Sequence, residues 1–242
     1  FYGDCKDFER LAHLQYTALP GGEACIREPW RNAVGMLVSY LGDQGVEISE
    51  QLFPSHQQAL PVLRAMIDKG MNTVYAGTCG RLFDAVSSMI GLCDKSTYDG
   101  EAAIRLSELA NLNLAVDAYS YEIQEHEQKL VFNFSHMLLQ IIDDLKRERD
   151  VTEISTAFHE TLVQALVDGM KRLHQTYPQT NKKIVLSGGS FHNRYLKERL
   201  IDCLSAAGFE VFTHQRIPCN DGGLSYGQLM VAAAKREEST CV

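Results

Sequence analysis

The chain has 242 residues, with 31 Asp and Glu against 23 Lys and Arg, a formal charge of −8 and 45 % hydrophobic types. This composition is that of a globular chain long enough for a sizeable core, and it excludes intrinsic disorder, collagen and a disulfide miniprotein. The acidic balance argues against nucleic acid or an anionic membrane as partner, because both need clustered Lys and Arg. No apolar run approaches the roughly 20 residues that cross a bilayer, so a soluble, cytoplasmic protein is expected.

The seven cysteines, Cys5, Cys25, Cys79, Cys93, Cys203, Cys219 and Cys241, are odd in number, widely spaced and without a C-x-x-C pair. Free thiols in a reducing compartment fit this better than a disulfide framework or a Cys-based zinc site. None of the eight histidines lies three or four residues from another, so no helix carries a two-His metal face. A metal would have to gather ligands from distant segments or from outside this chain. The chain opens on Phe1 instead of Met, which reads as a piece of a longer protein.

In chain order, residues 1–4 read as a strand end entering a turn. Glu28-Pro29 starts a helix with Pro at its first position, and Trp30, Ala33, Val34, Leu37, Val38 and Leu41 follow at helical spacing. A second helix is expected over about 57–69, stopped by Gly70, and a third after Gly80. On the third, Leu82, Ala85, Val86, Met89 and Ile90 form one stripe, with Asp84, Ser87 and Ser88 off it. That spacing places Asp84 on the polar side of a first turn. Gly100 precedes a short helix through Ala110, residues 119–134 alternate like strands around a charged turn, and long helices follow over 135–149 and 152–176. The last third changes character. Residues 183–187 read as a buried strand, then come a Gly-Gly turn, a helix ended by Gly208, a strand over 209–213, and Asn220-Asp221-Gly222-Gly223 opening the final helix. Strand, glycine turn, helix, strand, helix is α/β organisation with a parallel strand pair.

Four motifs could carry chemistry. Leu186-Ser187-Gly188-Gly189-Ser190-Phe191-His192-Asn193 ends a strand in two glycines and opens a helix, which lets backbone N–H groups hold a phosphate; a tight turn without ligand is the alternative. Asp221, on a glycine-flanked turn, suits a hard metal or a water, or else caps its helix. In Gly80-Arg81-Leu82-Phe83-Asp84, Asp84 could accept ribose hydroxyls or oppose the helix dipole. Gly21-Gly22-Glu23-Ala24-Cys25-Ile26-Arg27-Glu28-Pro29-Trp30-Arg31 could bind a small anionic or carbamoyl-like group through Arg27, Glu28 and Arg31, or form an ion-paired cap around Trp30. There is no Gly-x-Ser-x-Gly elbow and no H-E-x-x-H.

Taken in order, these motifs resemble the C-terminal part of the HypF family, the carbamoyltransferases of NiFe-hydrogenase maturation. The blocks that carry the resemblance are Phe8–Leu14, Gly21–Arg31, Gly80–Val86, Gly100–Ala103, Ala157-Phe158-His159, Leu186–Gly189 with Asn193, and Asn220–Gly223. They span nearly the whole chain. Ala76-Gly77-Thr78-Cys79 and His192 depart from the family's usual residues at those positions.

The resemblance implies an α/β, actin-like ATPase-type lobe with a mostly helical N-terminal half, one fragment of a two-lobed domain similar to the universal threonylcarbamoyl-transferases. It divides the chain into a helical segment, 1–115, and an α/β lobe, 116–242. Nucleotide binding falls to Gly80, Asp84, Gly100, Gly188, Gly189, Asn193 and Gly222, and metal binding to Asp221, the divalent Fe, Zn or Mg being shared with a lobe outside this sequence. The implied reaction consumes carbamoyl phosphate and ATP through carbamoyl-adenylate, and carbamoylates the C-terminal Cys of a HypE-like acceptor for cyanide ligand synthesis. No catalytic residue is assigned, and the fragment alone is expected to be inactive. An actin-like kinase or ATPase, and a non-catalytic docking scaffold, are the alternatives.

Overall fold

The structure, a computed structural model, describes residues 1–178 and 181–239; Cys241 lies outside the described residues. In chain order the elements are β1 (Tyr2–Gly3), β2 (Phe8–Glu9), β3 (Ala12–Leu14), β4 (Thr17–Pro20), α1 (Ala24–Arg27), α2 (Pro29–Leu41), α3 (Asp43–Leu52), α4 (Leu60–Lys69), β5 (Thr73–Ala76), α5 (Cys79–Met89) and α6 (Glu101–Leu109). They continue with β6 (Glu122–His126), β7 (Lys129–Asn133), α7 (Ser135–Lys146), α8 (Val151–Thr176), β8 (Lys183–Leu186), α9 (Arg194–Ala206), β9 (Glu210–Thr213) and α10 (Leu224–Ser239). Contacts divide the chain into two interleaved units, a helical one (Leu14–Glu122 with Phe132–Thr161) and an α/β one (Phe1–His13, Ile123–Val131 and Leu162–Val242). The halves expected from sequence, 1–115 and 116–242, are consecutive.

In the helical unit, β4 pairs antiparallel with β5, Thr17 opposite Ala76. Pro29 starts α2, where its missing N–H costs nothing, and the stripe of Trp30, Ala33, Val34 and Leu37 is buried. α2 packs on β4, α5 and α3. The last contact is backbone to backbone, since a methyl on Gly45 of α3 would overlap the Leu37 carbonyl. Leu82, Leu106, Met137, Leu138, Ile141, Ile154 and Phe158 are among the largest side chains fully buried, each contributing about 1.5–3 kcal/mol by burial.

One expectation is corrected here. α5 begins at Cys79, so Asp84 lies in its second turn, and Asp84, Ser87 and Ser88 are buried at 3 %, 0 % and 2 % exposure. Packing of neighbouring elements around most of α5 removes the polar face that spacing suggested. α3 was not foreseen either.

In the α/β unit, β3, β7 and β6 form a sheet in that order, and Glu127 and Gln128, at φ 49° and 62°, turn β6 into β7. Two left-handed residues match the twist of a two-residue hairpin. β8 and β9 pair parallel, Lys183 opposite Glu210 through Leu186 opposite Thr213, with α9 as the crossover. Leu196, Leu200 and Leu204 give α9 its buried stripe. β8 is buried on one face only: Ile184 and Leu186 are covered, while Val185 is 66 % exposed. The buried strand expected at 183–187 is therefore a half-buried one.

Candidate functional site

Two clusters gather the motif residues, one in each unit. In the α/β unit the ladder of β8 and β9 closes at Leu186 and Thr213, and the carboxyl ends of parallel strands are where α/β sheets bind ligands. An open cavity of about 650 Å³ lies there, lined by Ser187, Gly188, His214, Asn220, Asp221 and Gly227, among others. Gly188 has φ 106° and ψ 156°, a conformation open essentially to glycine alone. Its N–H donates to the Cys219 carbonyl at 2.7 Å, and a methyl on Gly189 would come within 4.0 Å of Asn220 Cβ. The two glycine motifs thus meet at one cavity.

With the Gly188 N–H engaged, an anion would turn to the opening N–H groups of the short 3₁₀ turn Gly189–His192, which such a turn leaves without an intrahelical acceptor. Asn220 supplies the cap at the second motif, its Oδ1 accepting the Gly222 N–H at 3.1 Å. That leaves the Asp221 carboxylate exposed on the cavity wall. Asn193 is buried, and its Oδ1 accepts the Leu196 N–H at 3.0 Å to cap α9. His192 is exposed.

The helical unit brings the other two motifs together around α2 and α5. Arg81 Nη1 and Asp84 Oδ2 approach to 2.9 Å, yet neither atom has a well-aligned hydrogen bond, and buried Asn32 Oδ1 and Ser87 Oγ have no partner either. Asn32 Nδ2 donates to the Arg81 carbonyl. Burial pushes the Asp84 carboxyl up to about 6; the Arg81 guanidinium opposes this and Asp99 adds to it. Buried polar atoms without partners are ones a bound molecule can satisfy.

Cys25 is fully buried and donates to the Pro20 carbonyl at 3.3 Å. Burial pushes its thiol up to about 12, although Arg31 and Arg81 oppose that, so it is no thiolate nucleophile. Arg31 pairs with Glu28 and lies 5.0 Å over the Trp30 ring. Arg27 instead sits at the surface, 3.2 Å from Glu23. A methyl on Gly80 would meet nothing within 4 Å, and Gly100, at φ 77°, opens α6. Behind it Glu101 accepts the Thr97 N–H at 2.6 Å and its hydroxyl at 2.8 Å, which holds the carboxyl below its usual range. The sequence reading gave no role to Asn32, Ser87, Glu101 or His214. Only the strand register brings His214 to the cavity.

Among the described residues no group of three His, Cys, Asp or Glu side chains could hold a metal ion, and no helix is long and apolar enough to cross a membrane. The family profile described as carbamoyltransferase, Kae1-like domain, second subdomain matches residues 1–228. The chain belongs to the HypF carbamoyltransferase family. It is 34 % identical to carbamoyltransferase HypF of Rhodobacter capsulatus, covering 98 % of this chain and 30 % of that protein. It is 26 % identical to the probable carbamoyltransferase HypF of Methanocaldococcus jannaschii, over 91 % of this chain and 28 % of that one. A solved full-length HypF in the phosphate- and nucleotide-bound form superposes with a TM-score of 0.85 at 37 % identity, covering 95 % of this chain and 29 % of the other. The α/β fold is therefore Kae1-like, and the chain spans about 30 % of the length of these relatives.

Proposed function

We propose that this chain is the nucleotide-holding part of a HypF-type carbamoyltransferase, which uses carbamoyl phosphate and ATP, through carbamoyl-adenylate, to carbamoylate the C-terminal Cys of a HypE-like acceptor. The carbamoylated thiol would then feed cyanide ligand synthesis in NiFe-hydrogenase maturation, in the cytoplasm. The observation that carries the reading is the Gly188–Asp221 cavity, in a chain that superposes on a nucleotide- and phosphate-bound HypF.

In this reading the turn at Gly188 and Gly189 lies against phosphate, with Gly222 beside it, while Asn193 holds the start of α9 in place. Within the helical unit, Gly80, Asp84 and Gly100 are the candidates for ribose contacts, and a hydroxyl donor would satisfy the orphaned Asp84 oxygen. Glu28 and Arg31 offer a fork for the carbamoyl group, with Arg27 at the margin. Fixed backbone dipoles at the adenylate stabilise charge developing on the leaving phosphate. Asp221 alone is too small a donor set for a divalent ion, so it is at most one ligand of a shared site; when bound, the ion would neutralise phosphate charge.

The test uses the full-length enzyme with ATP, carbamoyl phosphate and a peptide ending in Cys. Carbamoylation of that Cys, lost on Asp221→Ala, is expected. Phosphorylation of a small hydroxylated substrate without carbamoyl phosphate would instead mark a kinase.

A further inference from the structure

Past the last rung of the parallel ladder, Ser187 and His214 leave β8 and β9 side by side, and His214 Nε2 lies 2.9 Å from Ser187 Oγ. Both line the cavity that also holds Gly188 and Asp221. Among the lining residues only His214, Cys219 and Asp221 have titratable side chains. A transfer to a thiol must move a proton near neutral pH. Imidazole is the commonest general base for such a step. In the tautomer whose Nε2–H donates to Ser187 Oγ, the Nδ1 lone pair is available.

We propose that His214 accepts the proton of the attacking thiol, with Ser187 holding the imidazole at the cavity. This rests on the carbamoyl-transfer reading above. The acceptor S–H gives its proton to His214 Nδ1, and the sulfur electron pair forms a bond to the carbonyl carbon of carbamoyl-adenylate. The bond from that carbon to the phosphate oxygen breaks, AMP departs with the electron pair, and the imidazolium returns its proton to water. No oxidant or reductant is needed. Ser187 is a positioning residue, acting only through the ring.

The experiment compares the full-length enzyme with its His214→Gln, His214→Ala and Ser187→Ala forms, using ATP, carbamoyl phosphate and a peptide ending in Cys. Three quantities are read: pyrophosphate release without acceptor, nucleotide affinity, and peptide carbamoylation against pH. His214→Gln is expected to slow transfer about 10²–10⁴-fold and abolish the acid-side fall in kcat/KM, with a far smaller change in pyrophosphate release and nucleotide affinity. Added imidazole should partly restore His214→Ala. Ser187→Ala should lower kcat at constant KM and keep the acid-side fall. Transfer at the parental rate by His214→Gln, a nucleotide affinity that falls as far as transfer does, or an unaltered acid limb would overturn the proposal. No carbamoylated peptide from the unsubstituted enzyme would overturn the carbamoyl-transfer reading itself and this inference with it.

Discussion

Asp84 comes four residues after Gly80 and Asp221 stands just before Gly222 and Gly223, yet the helical unit buries the first at 3 % exposure and the α/β unit leaves the second in an open cavity. The helical unit closes a dense core around Phe158 and Leu37, trapping polar atoms without partners. The α/β unit leaves Asp221 and His214 exposed and even exposes Leu224 and Leu229 of α10 at 60 % and 65 %. An aspartate near glycine thus acquires different chemistry from what packs around it: a carboxyl that holds its proton more tightly in one place, and an exposed metal-ligand candidate in the other.

The sharpest way to break this contrast is through the cores. Phe158 is fully buried and meets Phe83 edge to face with ring centroids 5.0 Å apart, so Phe158→Ala should cost about 3–5 kcal/mol in denaturant unfolding. Leu229→Ala, at an exposed site, should stay within about 0.5 kcal/mol.

A pH experiment sharpens it next. Burial holds the Asp84 carboxyl up near 6 against an ordinary 3.8, so the folded state binds that proton more tightly, and its stability is full below about 4 and falls as pH rises toward 6. Burial pushes His159 the other way, from 6.5 down to about 4, so its contribution is full above 6.5 and is lost as pH falls toward 4. Each effect is worth about 3 kcal/mol at most, and over this window they oppose each other. Asp84→Asn should therefore unmask a stability that climbs with pH between 4 and 6.5, and His159→Gln one that declines, each read from urea midpoints. Parallel slopes in both variants would refute the burial account.

Smaller effects belong to the α/β unit. Gly188→Ala meets no atom within 4 Å but must hold φ 106°, so it should cost about 1–3 kcal/mol through backbone strain alone. Asn193→Ala removes the cap from α9 and should cost about 1 kcal/mol. Both are checked by thermal unfolding.

Much of this was legible in the sequence because it is local. Pro29 and Gly70 marked helix ends, and the short strands read at 183–187 and 209–213 marked the pair that the structure joins in parallel. What escaped depends on packing between segments distant in sequence. α3, with few apolar residues, is a helix that rests on α2 through Gly45. Asp84 looked solvent-facing because spacing along one helix says nothing of what lies on its far side. Asn220, not Asp221, is the cap, a choice between neighbours that only backbone geometry makes. The pairing of His214 with Ser187 required the register of β8 on β9.

The most direct test of the central claim is mass analysis of a Cys-terminated acceptor peptide after incubation with full-length enzyme, ATP and carbamoyl phosphate, comparing Asp221→Ala with the parent. The account predicts carbamoylated peptide from the parent and none from the variant. Equal carbamoylation by both would contradict it.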